Sequence, residues 1–572
     1  MKTSDSLRLD PGTIAFGAFS RGVLTLTSAL ALALALAAPA RANTGSAGPA
    51  EAYPGERLGQ VSFAVSCAPA VRAEFSRGVA LLHDFWYEEA RPQFEKIAKA
   101  DPGCAMAHWG IAMSAFHQIW DRPDDQTMAL GWKELQAAQA HPAKTARERA
   151  YVAALGGFFK PDKRDYQARI DSYAAAMAKL YGRYPLDVDA GTFYALSLLA
   201  AEAPDDTSLS AEHRAMAVLT PLSAQNPDHP GVVHYIIHAC DTPSLAPEGL
   251  AAARHYGEIA PSGPHAVHMP GHIFARLGMW QADIDSNAAS VAASNAAELH
   301  HQHGAMDQFH SDDFLLYAYL QIGQDAKAKA VIGQSADALT HFETMPEMGD
   351  RYMMGMFPYY RTKLPVFYAL EMRDWSAAAA LEPAAGARPE TQAMTYWART
   401  IAAGHLRQPQ QAHAALAEYD SLIQQVRKGK HAYIADSTGT RIEQGEMLAW
   451  VAFAEGDSTQ ALSHMRESAD LQDKVGQGEV DIPAREMLAD ILLELGQPQQ
   501  ALDEYVRALK LSPNRFNGLF NAGKAAEASG NKALAKEYYA NLLQATDHGS
   551  ASMRPEFEHM KGFLAAAPLA VN

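Results

Sequence analysis

Two successive stretches near the C-terminal end repeat one pattern of small and apolar residues, and this repetition constrains the fold more than any other feature. The pattern recurs after about 34 residues. Its members in the first stretch are Leu488, Ala489, Leu492, Gly496, Ala501, Tyr505, Ala508 and Pro513, and those in the second are Ala522, Gly523, Ala526, Gly530, Ala535 and Tyr539. Small residues let two helices approach, the glycine permits the turn between them, and the proline ends the second helix. Each stretch therefore predicts a pair of packed helices.

The rest of the chain follows the same pattern more loosely from Val71 onward. Turn residues recur at intervals of roughly 34 to 45 residues, and no segment alternates as a half-buried strand would. Helix–helix turns are predicted at Gly278, Gly323 and Gly456, and one without glycine at 373–375. Because a helix pair cannot bury its apolar face alone, neighbouring pairs must stack. We predict an all-α, right-handed solenoid of roughly ten helix pairs, like that of tetratricopeptide repeats.

Four segments carry a family resemblance: FSRGVALLHDFWYEEARPQFEKIAKADPGCAMAHWGIAMS, HYIIHACD, PHAVHMPGHIFARLGMW and YAYLQIG. Together they resemble a group of exported bacterial tetratricopeptide-repeat proteins, most specifically between about residues 67 and 325. The resemblance implies the helical-repeat fold and export from the cell. It transfers no activity and no mechanism to this chain.

The first 42 residues have the features of an export signal. A basic start precedes an apolar run over 23–38, and small residues around Ala40 and Ala42 suit cleavage. The alternative is an uncleaved membrane anchor, because the run approaches spanning length. We predict cleavage, a periplasmic or secreted mature protein, and no stable membrane span after cleavage. The predicted divisions are a signal peptide at 1–42, a linker at 43–70, divergent repeats at 71–455, C-terminal repeats at 456–550 and a tail at 551–572.

The net charge limits the classes of partner that the chain can bind, and its cysteines offer one candidate disulfide. The formal net charge of −17 argues against a nucleic-acid surface, which needs clustered basic residues. In an oxidising compartment Cys67 and Cys104 are candidates for one disulfide, although spacing alone does not establish the pairing. Cys240 is then a lone thiol, for which burial is the commoner role and metal ligation the alternative.

Histidine is concentrated in the centre of the chain. Eleven of the 23 histidines fall within residues 229–310, and imidazole is the commonest protein ligand for transition metals. His234 and His238 are four residues apart, a spacing that places both rings on one helix face, and Asp241 extends that face. In the alternative interpretation these histidines form ordinary hydrogen bonds within a buried stripe.

A second group of histidines lies about one repeat period further on, at His265, His268 and His272. Pro270 disfavours helical geometry at Met269, so we expect a turn before a helix that begins near residue 273. His272 then lies at a helix N-terminus, which disfavours its charged form and keeps it able to bind metal. Stacked repeats bring equivalent positions together, so the two groups are predicted to share an ion.

Two further segments offer weaker candidates. Residues 300–313 contain four histidines, of which His310 and Asp313 precede an apolar helix and are candidate contributors from the next layer. Consecutive loop histidines are more often exposed and incidental. Residues 344–360 are rich in methionine, which suits Cu(I), although core methionine is commoner.

Three functions remain open from the sequence. The first is a transition-metal site for Zn, Fe or Cu in the concave centre; its ligands would be His234, His238, His265, His268, His272 and Asp241. The second is a scaffold that binds a protein or peptide partner in the groove, by analogy with this architecture. The third is a metal-dependent hydrolase or oxidase, for which no catalytic residue is assigned. The chain has no serine-nucleophile elbow, phosphate-binding loop, dinucleotide fingerprint or His-Glu-x-x-His motif.

Overall fold

The structure is a computed structural model, and it is all-helical throughout its described part. No described residue lies in a β-strand, as the solenoid prediction requires. The described residues are 52–117, 119, 122–141, 143–203, 206–302, 305–343, 355–547, 552 and 554–566, with the side chains of 305 and 306 excepted. The predicted signal peptide and most of the methionine-rich segment lie outside these ranges. None of the described helices combines the length and the apolar composition that crossing a membrane requires.

The N-terminal half consists of helices that pair in chain order. A short 3-10 helix at Pro69–Val71 precedes them. The helices are α1 (Arg72–His83), α2 (Tyr87–Ala100), α3 (Ala105–Ser114), α4 (Asp125–Ala140), α5 (Ala146–Phe159), α6 (Tyr166–Arg183), α7 (Val188–Ala200), α8 (Ser210–Gln225), α9 (Pro230–Cys240), α10 (Ala246–Ile259), α11 (Pro264–His268), α12 (Pro270–Arg276), α13 (Trp280–Leu299) and α14 (Ala305–Gln321).

The C-terminal half continues the same arrangement. Its described helices are α15 (Asp325–Phe342), α16 (Met356–Glu371), α17 (Trp375–Ala379), α18 (Pro389–His405), α19 (Pro409–Arg427), α20 (Ala432–Ala435), α21 (Thr438–Glu455), α22 (Ser458–Val475), α23 (Ala484–Glu494), α24 (Pro498–Leu511), α25 (Phe516–Ala528), α26 (Lys532–Ala545) and α27 (Glu556–Ala566). Two large hydrophobic cores, one in each half, meet at the start of α13. The fold is therefore an all-α solenoid of the tetratricopeptide type.

Close glycine–aromatic contacts explain why the helices pair. A Cβ atom on Gly78 of α1 would lie 2.7 Å from the ring of Phe94 in α2. The equivalent pair near the C-terminus is Gly523 of α25 and Tyr539 of α26, where the same distance would be 2.3 Å. Both separations are shorter than any real Cβ contact, so only glycine admits the aromatic ring. At both ends of the chain, the first and second helices of a repeat therefore pack through a glycine–aromatic contact.

The predicted turns between helices occur where expected. Gly278, Gly323 and Gly456 have φ values of 62°, 70° and 85°, in the left-handed region that glycine adopts without strain. Arg373 takes the equivalent position without a glycine, with φ of 54°. The carboxylate of Asp374 then accepts a hydrogen bond from the amide of residue 377 and caps the following helix.

The segment expected to be a linker is instead packed where the structure describes it. Residues 58–67 run in an extended conformation along the N-terminal repeats and bury alternate side chains, including Val61, Phe63 and Val65. The amide of Gly59 donates to the carbonyl of Ile259, and a disulfide joins Cys67 to Cys104. The alternation of apolar residues is the signal that the linker prediction overlooked. Residues 556–566 of the expected tail likewise form a helix that buries Phe557 and Met560.

The C-terminal repeats contact the centre of the chain across long sequence separations. The indole N–H of Trp280 donates to the carbonyl of Asn514 over 2.7 Å. Arg276 donates to the carbonyl of Gln477 over 2.5 Å. These contacts bring the loop between α22 and α23 against α12 and the loop between α24 and α25 against α13, which positions the candidate site.

Candidate metal centre

Three short helices carry the five histidines that were predicted as ligands, and each begins at a proline. Pro230, Pro264 and Pro270 occupy the first position of α9, α11 and α12, where a missing amide proton costs nothing. Met269 has φ −52° and ψ −35°, which is helical geometry. The expected turn before Pro270 was therefore wrong. Met269 is fully buried, and its packing outweighs the local preference of a residue before proline.

The structure sorts the predicted ligands into two groups instead of one. The first group contains His234, His238 and His265, and we call it triad A. The second contains His268, His272 and His310, and we call it triad B. Within each triad the candidate ligand nitrogens all lie within 4.8 Å of one another.

Triad A is built from two helices. The ring centroid of His234 lies 4.7 Å from that of His238 on the same face of α9 and 5.1 Å from that of His265 on α11. His234 Nδ1 lies 2.6 Å from the carbonyl oxygen of His83, which can only accept a hydrogen bond. The proton of His234 is therefore on Nδ1, and the lone pair is on Nε2. That Nε2 atom is buried and has no hydrogen-bond partner among the described residues.

Triad B repeats this arrangement one layer further along. His268 Nε2 and His272 Nε2 are 2.9 Å apart, and the ring of His310 on α14 lies 4.4 Å from that of His268. Asn287 donates from Nδ2 to Asp283, so its Oδ1 atom faces His268 Nδ1 at 2.6 Å. His268 Nδ1 must therefore donate, and the Nε2 lone pair of His268 points towards His272.

Burial controls the charge of most of these rings. Desolvation holds the pKa values of His234, His238, His268 and His310 well below their usual range, so these imidazoles are neutral. A neutral imidazole is the form that binds a metal ion. His238 and His310 are half-buried, whereas the other four rings of the two triads are buried.

His272 was expected to be a neutral ring, but its contacts favour the charged form. Its Nδ1 lies 3.0 Å from Asp241 Oδ2 and 3.1 Å from Glu479 Oε1. Burial would lower the pKa of His272, but these two carboxylates raise it to about 10. Two carboxylates in direct contact outweigh the helix N-terminus, so without metal His272 is charged and donates to His268 Nε2. The expectation that the helix end keeps this ring neutral was wrong.

Asp241 was predicted as a ligand on the face of His234 and His238, and the structure places it elsewhere. Its carboxylate contacts His272 and accepts a hydrogen bond from Arg276 Nε over 3.0 Å. Glu479, which lies 207 residues from His272, completes the same ion-pair network. Asp241, His272 and Glu479 also form a group with metal-ligand spacing. Both carboxylates therefore contact Nδ1 of His272, whereas Nε2 of the same ring faces His268.

A third group, His83, Asp189 and His229, is fully buried behind triad A. Asp189 Oδ1 lies 3.1 Å from His83 Nε2 and 3.3 Å from His229 Nε2, and the hydroxyl of Tyr235 lies 3.1 Å from His83 Nδ1. Desolvation lowers the pKa of His83 to about 4 despite Asp189. Asp189 can accept a hydrogen bond from both rings, so this network is held together by hydrogen bonds. Its effect is to fix the His83 backbone, whose carbonyl orients His234.

Several residues in or next to the two triads were not among the ligands predicted from the sequence. His310 was expected to precede its helix as a weaker candidate, whereas that helix begins at residue 305 and contains it. Glu479 and Asn287 carry no local signal, since each contacts the histidines only through the tertiary fold. Cys240 is buried with its sulfur 3.6 Å from Met216 Sδ and belongs to neither triad.

A groove of about 1510 Å³ adjoins this region. Basic and aromatic side chains line part of it, among them Arg122, Arg388, Lys430 and Tyr433. Gln477 also lines it, and the carbonyl of this residue holds Arg276. Gln477 therefore belongs to the groove wall and also contacts Arg276, which is part of the ion-pair network around His272.

Comparisons with known proteins gave one structural neighbour and one matching family model. Among solved structures, a chain from a structure of Naa15/Naa10 bound to HypK-THB aligns with 86% of this chain and 74% of its own length, at 12% identity and a TM-score of 0.22. No curated protein sequence matches the chain. Residues 87–125 and 486–550 match the family model of the tetratricopeptide repeat. These two matched stretches are tetratricopeptide repeats, one near each end of the described solenoid.

Proposed function

We propose that this protein holds a transition-metal centre where the central helices meet the C-terminal repeats. The observation that carries the proposal is the convergence of imidazole nitrogens in triads A and B, all within 4.8 Å of one another in each group. The proposed ligands are His234, His238, His265, His268, His272 and His310. Asp241 and Glu479 act from behind His272 as hydrogen-bond acceptors.

The chemistry of the donor set suits a first-row ion such as Zn, Fe or Cu. Imidazole nitrogen binds these ions well, whereas Mg and Ca prefer oxygen ligands. Metal-binding histidines usually donate their second N–H to a carbonyl or carboxylate, which fixes the ring. His234, His268 and His272 each have such an acceptor on Nδ1. A buried Nε2 without a partner costs about 1–3 kcal/mol, and a bound ion would remove that cost at His234.

Elemental analysis of protein purified without a histidine tag tests the proposal. We expect stoichiometric Zn, Fe or Cu after exhaustive dialysis. The double variant His234→Ala with His268→Ala should lose the metal while its helix content stays nearly intact, because apolar contacts between repeats stabilise the solenoid. The exposed His413, which pairs with Glu455, provides the control His413→Ala. Protein without metal after reloading attempts would contradict the proposal.

A second candidate function is a scaffold that binds a partner protein in the groove. The tetratricopeptide stretches favour it, because this architecture commonly binds peptides in its concave face. The extended segment 58–67 lies along the N-terminal repeats, so this solenoid already holds one extended peptide of its own. The groove near Tyr433 would hold a segment of another protein.

A photoreactive residue in place of Tyr433 tests the scaffold function in the native host. Tyr433 is 61% exposed and lines the groove, so cross-linking should capture one discrete partner. The same photoreactive residue at His413, which lies outside the residues that line the groove, should not capture it. Equal, diffuse labelling at both positions would contradict a specific partner.

A metal-dependent hydrolase or oxidase is a further possibility that follows from the metal centre. Such a reaction needs a coordination position open to substrate or water. His238 and His310 are the half-buried members of the two triads, so an open position would lie on their side. No residue is assigned a catalytic role.

We propose that the protein acts outside the cytoplasm, which rests on the sequence of residues 1–42. The mature chain should begin near Arg41 or Asn43, where small residues suit cleavage. N-terminal sequencing of protein from its native host provides the test. Recovery of Met1 would contradict export by cleavage.

A further inference from the structure

We infer that the histidine cluster is a pair of adjacent three-imidazole sites that hold two divalent first-row ions, one in triad A and one in triad B. This inference rests on the proposed function and makes it more specific. From their spacing in the sequence, the histidines were expected to share one ion. The arrangement of the rings in the repeats argues for two.

The two triads occupy equivalent positions in successive repeats. His234 and His268 are 34 residues apart, and so are His238 and His272. That separation equals one tetratricopeptide period of about 34 residues. Each pair has the i, i+4 spacing that places both rings on one helical face, across α9 in triad A and across α11 and α12 in triad B. The site has therefore been repeated together with the helix pair.

The third ligand follows the same rule in both triads. Triad A is completed by His265, which lies on α11, and triad B by His310, which lies on α14. Both come from a helix that follows later in the chain and packs beside the pair. Each ion would thus be held between neighbouring layers of the solenoid. The two triads meet at His265 and His268, whose ring centroids are 6.0 Å apart on the same short helix.

Ligand distances argue against one ion for all six rings. Two imidazole nitrogens bound to one ion at about 2.0–2.1 Å can be at most about 4.2 Å apart. Within a triad the nitrogens approach this limit, at no more than 4.8 Å. Among the described residues, no set of three candidate ligands with this spacing takes members from both triads. Each triad can therefore surround its own ion, whereas the six rings together cannot surround one.

Each triad also has a carboxylate that supports one of its rings. Asp307 Oδ1 lies 3.3 Å from His265 Nδ1 in triad A. Asp241 Oδ2 lies 3.0 Å from His272 Nδ1 in triad B. A carboxylate behind a ligand histidine raises its basicity and fixes its orientation. The anionic groups also offset part of the positive charge that two divalent ions would bring into a half-buried site.

Metal stoichiometry of the full mature chain tests this inference. Untagged protein is stripped with a chelator, titrated with Co²⁺ and separately with Zn²⁺, and analysed for bound metal. We expect two ions per chain, and visible absorption of Co²⁺ that grows up to two equivalents. One ion per chain would overturn the two-ion inference and leave the proposed metal centre in place. No bound ion would overturn both.

Single variants then assign each ion to its triad. His238→Ala should leave one ion, held by triad B, and His310→Ala should leave one ion, held by triad A. The exposed-site control His413→Ala should keep two. Loss of both ions from either variant, with circular dichroism unchanged, would mean one shared cluster and would overturn separate sites. Retention of two ions by both variants would do the same. The titration of unmodified protein decides the count even where a variant fails to fold.

Discussion

Replacing Asn287 with leucine should weaken metal binding in triad B without removing any ligand. Asn287 is fully buried, and its Oδ1 accepts from His268 Nδ1 over 2.6 Å. Without this acceptor, His268 is free to move its proton to Nε2, the atom that would bind the ion. Among the described residues, the other hydrogen-bonding group close to His268 Nδ1 is the hydroxyl of Ser311, at 3.4 Å. That distance is too long for a strong hydrogen bond.

The expected loss follows from the bond that is removed. Taking away the partner of a buried polar group costs about 1–3 kcal/mol. Loss of an acceptor behind a ligand histidine typically lowers metal affinity about 10–100-fold. This range corresponds to about 1.4–2.8 kcal/mol, which agrees with the hydrogen-bond value. We therefore expect the affinity of the triad B ion to fall about 10–100-fold, and that of triad A to stay within about twofold.

Competition titration of stripped protein against a chromophoric zinc chelator measures this change. The matched control is Asn521→Leu, which removes a buried amide that donates to Asp490 in the C-terminal repeats, away from the histidines. The control should lose stability and keep both affinities. Unchanged affinity in Asn287→Leu would refute the orienting role of Asn287. An equal loss at both sites would refute the separation of the triads.

Three further predictions concern stability. Ala501 and Ala535 are fully buried between paired helices, so Ala→Leu at either should overpack and destabilise by about 1–3 kcal/mol in thermal unfolding; unchanged melting in both would contradict the repeat register. The Cys67–Cys104 disulfide closes a 37-residue separation, so Cys67→Ser with Cys104→Ser should lower the free energy of unfolding by about 4 kcal/mol in urea, and a change near zero would contradict this. Burial raises the pKa of Asp312 to about 7, so the folded protein keeps a proton that the unfolded chain releases. Stability should therefore fall by about 1.4 kcal/mol per pH unit from about pH 4 to 7, and Asp312→Asn should remove this part of the slope.

The repeat architecture was predictable because its determinants are local and periodic. Gly523 and Tyr539 repeat the spacing of Gly78 and Phe94. Each pair makes the close glycine–aromatic contact between the two helices of a repeat. The pairing of His234 with His238 was predictable for the same reason, since four residues span about one helical turn.

Other features depended on contacts that no local pattern encodes. Glu479 reaches His272 across 207 residues, because the C-terminal repeats fold onto the central helices. The contact with Glu479 favours the charged form of His272, whereas the position of this ring at a helix N-terminus had predicted the neutral form. Local preference also failed at Met269, where burial of α11 and α12 overrides the effect of the following proline. The division into two triads required the third ligands, and these come from later helices.

Anomalous X-ray scattering from crystals of zinc-loaded protein, collected on both sides of the zinc edge, would locate the ions. We expect two peaks per chain, one among the Nε2 or Nδ1 atoms of His234, His238 and His265 and one among those of His268, His272 and His310. Each ion should lie about 2.0–2.1 Å from its imidazole nitrogens. Peaks only at exposed histidines such as His413, or no peak in the centre of the solenoid, would contradict a metal centre in triads A and B.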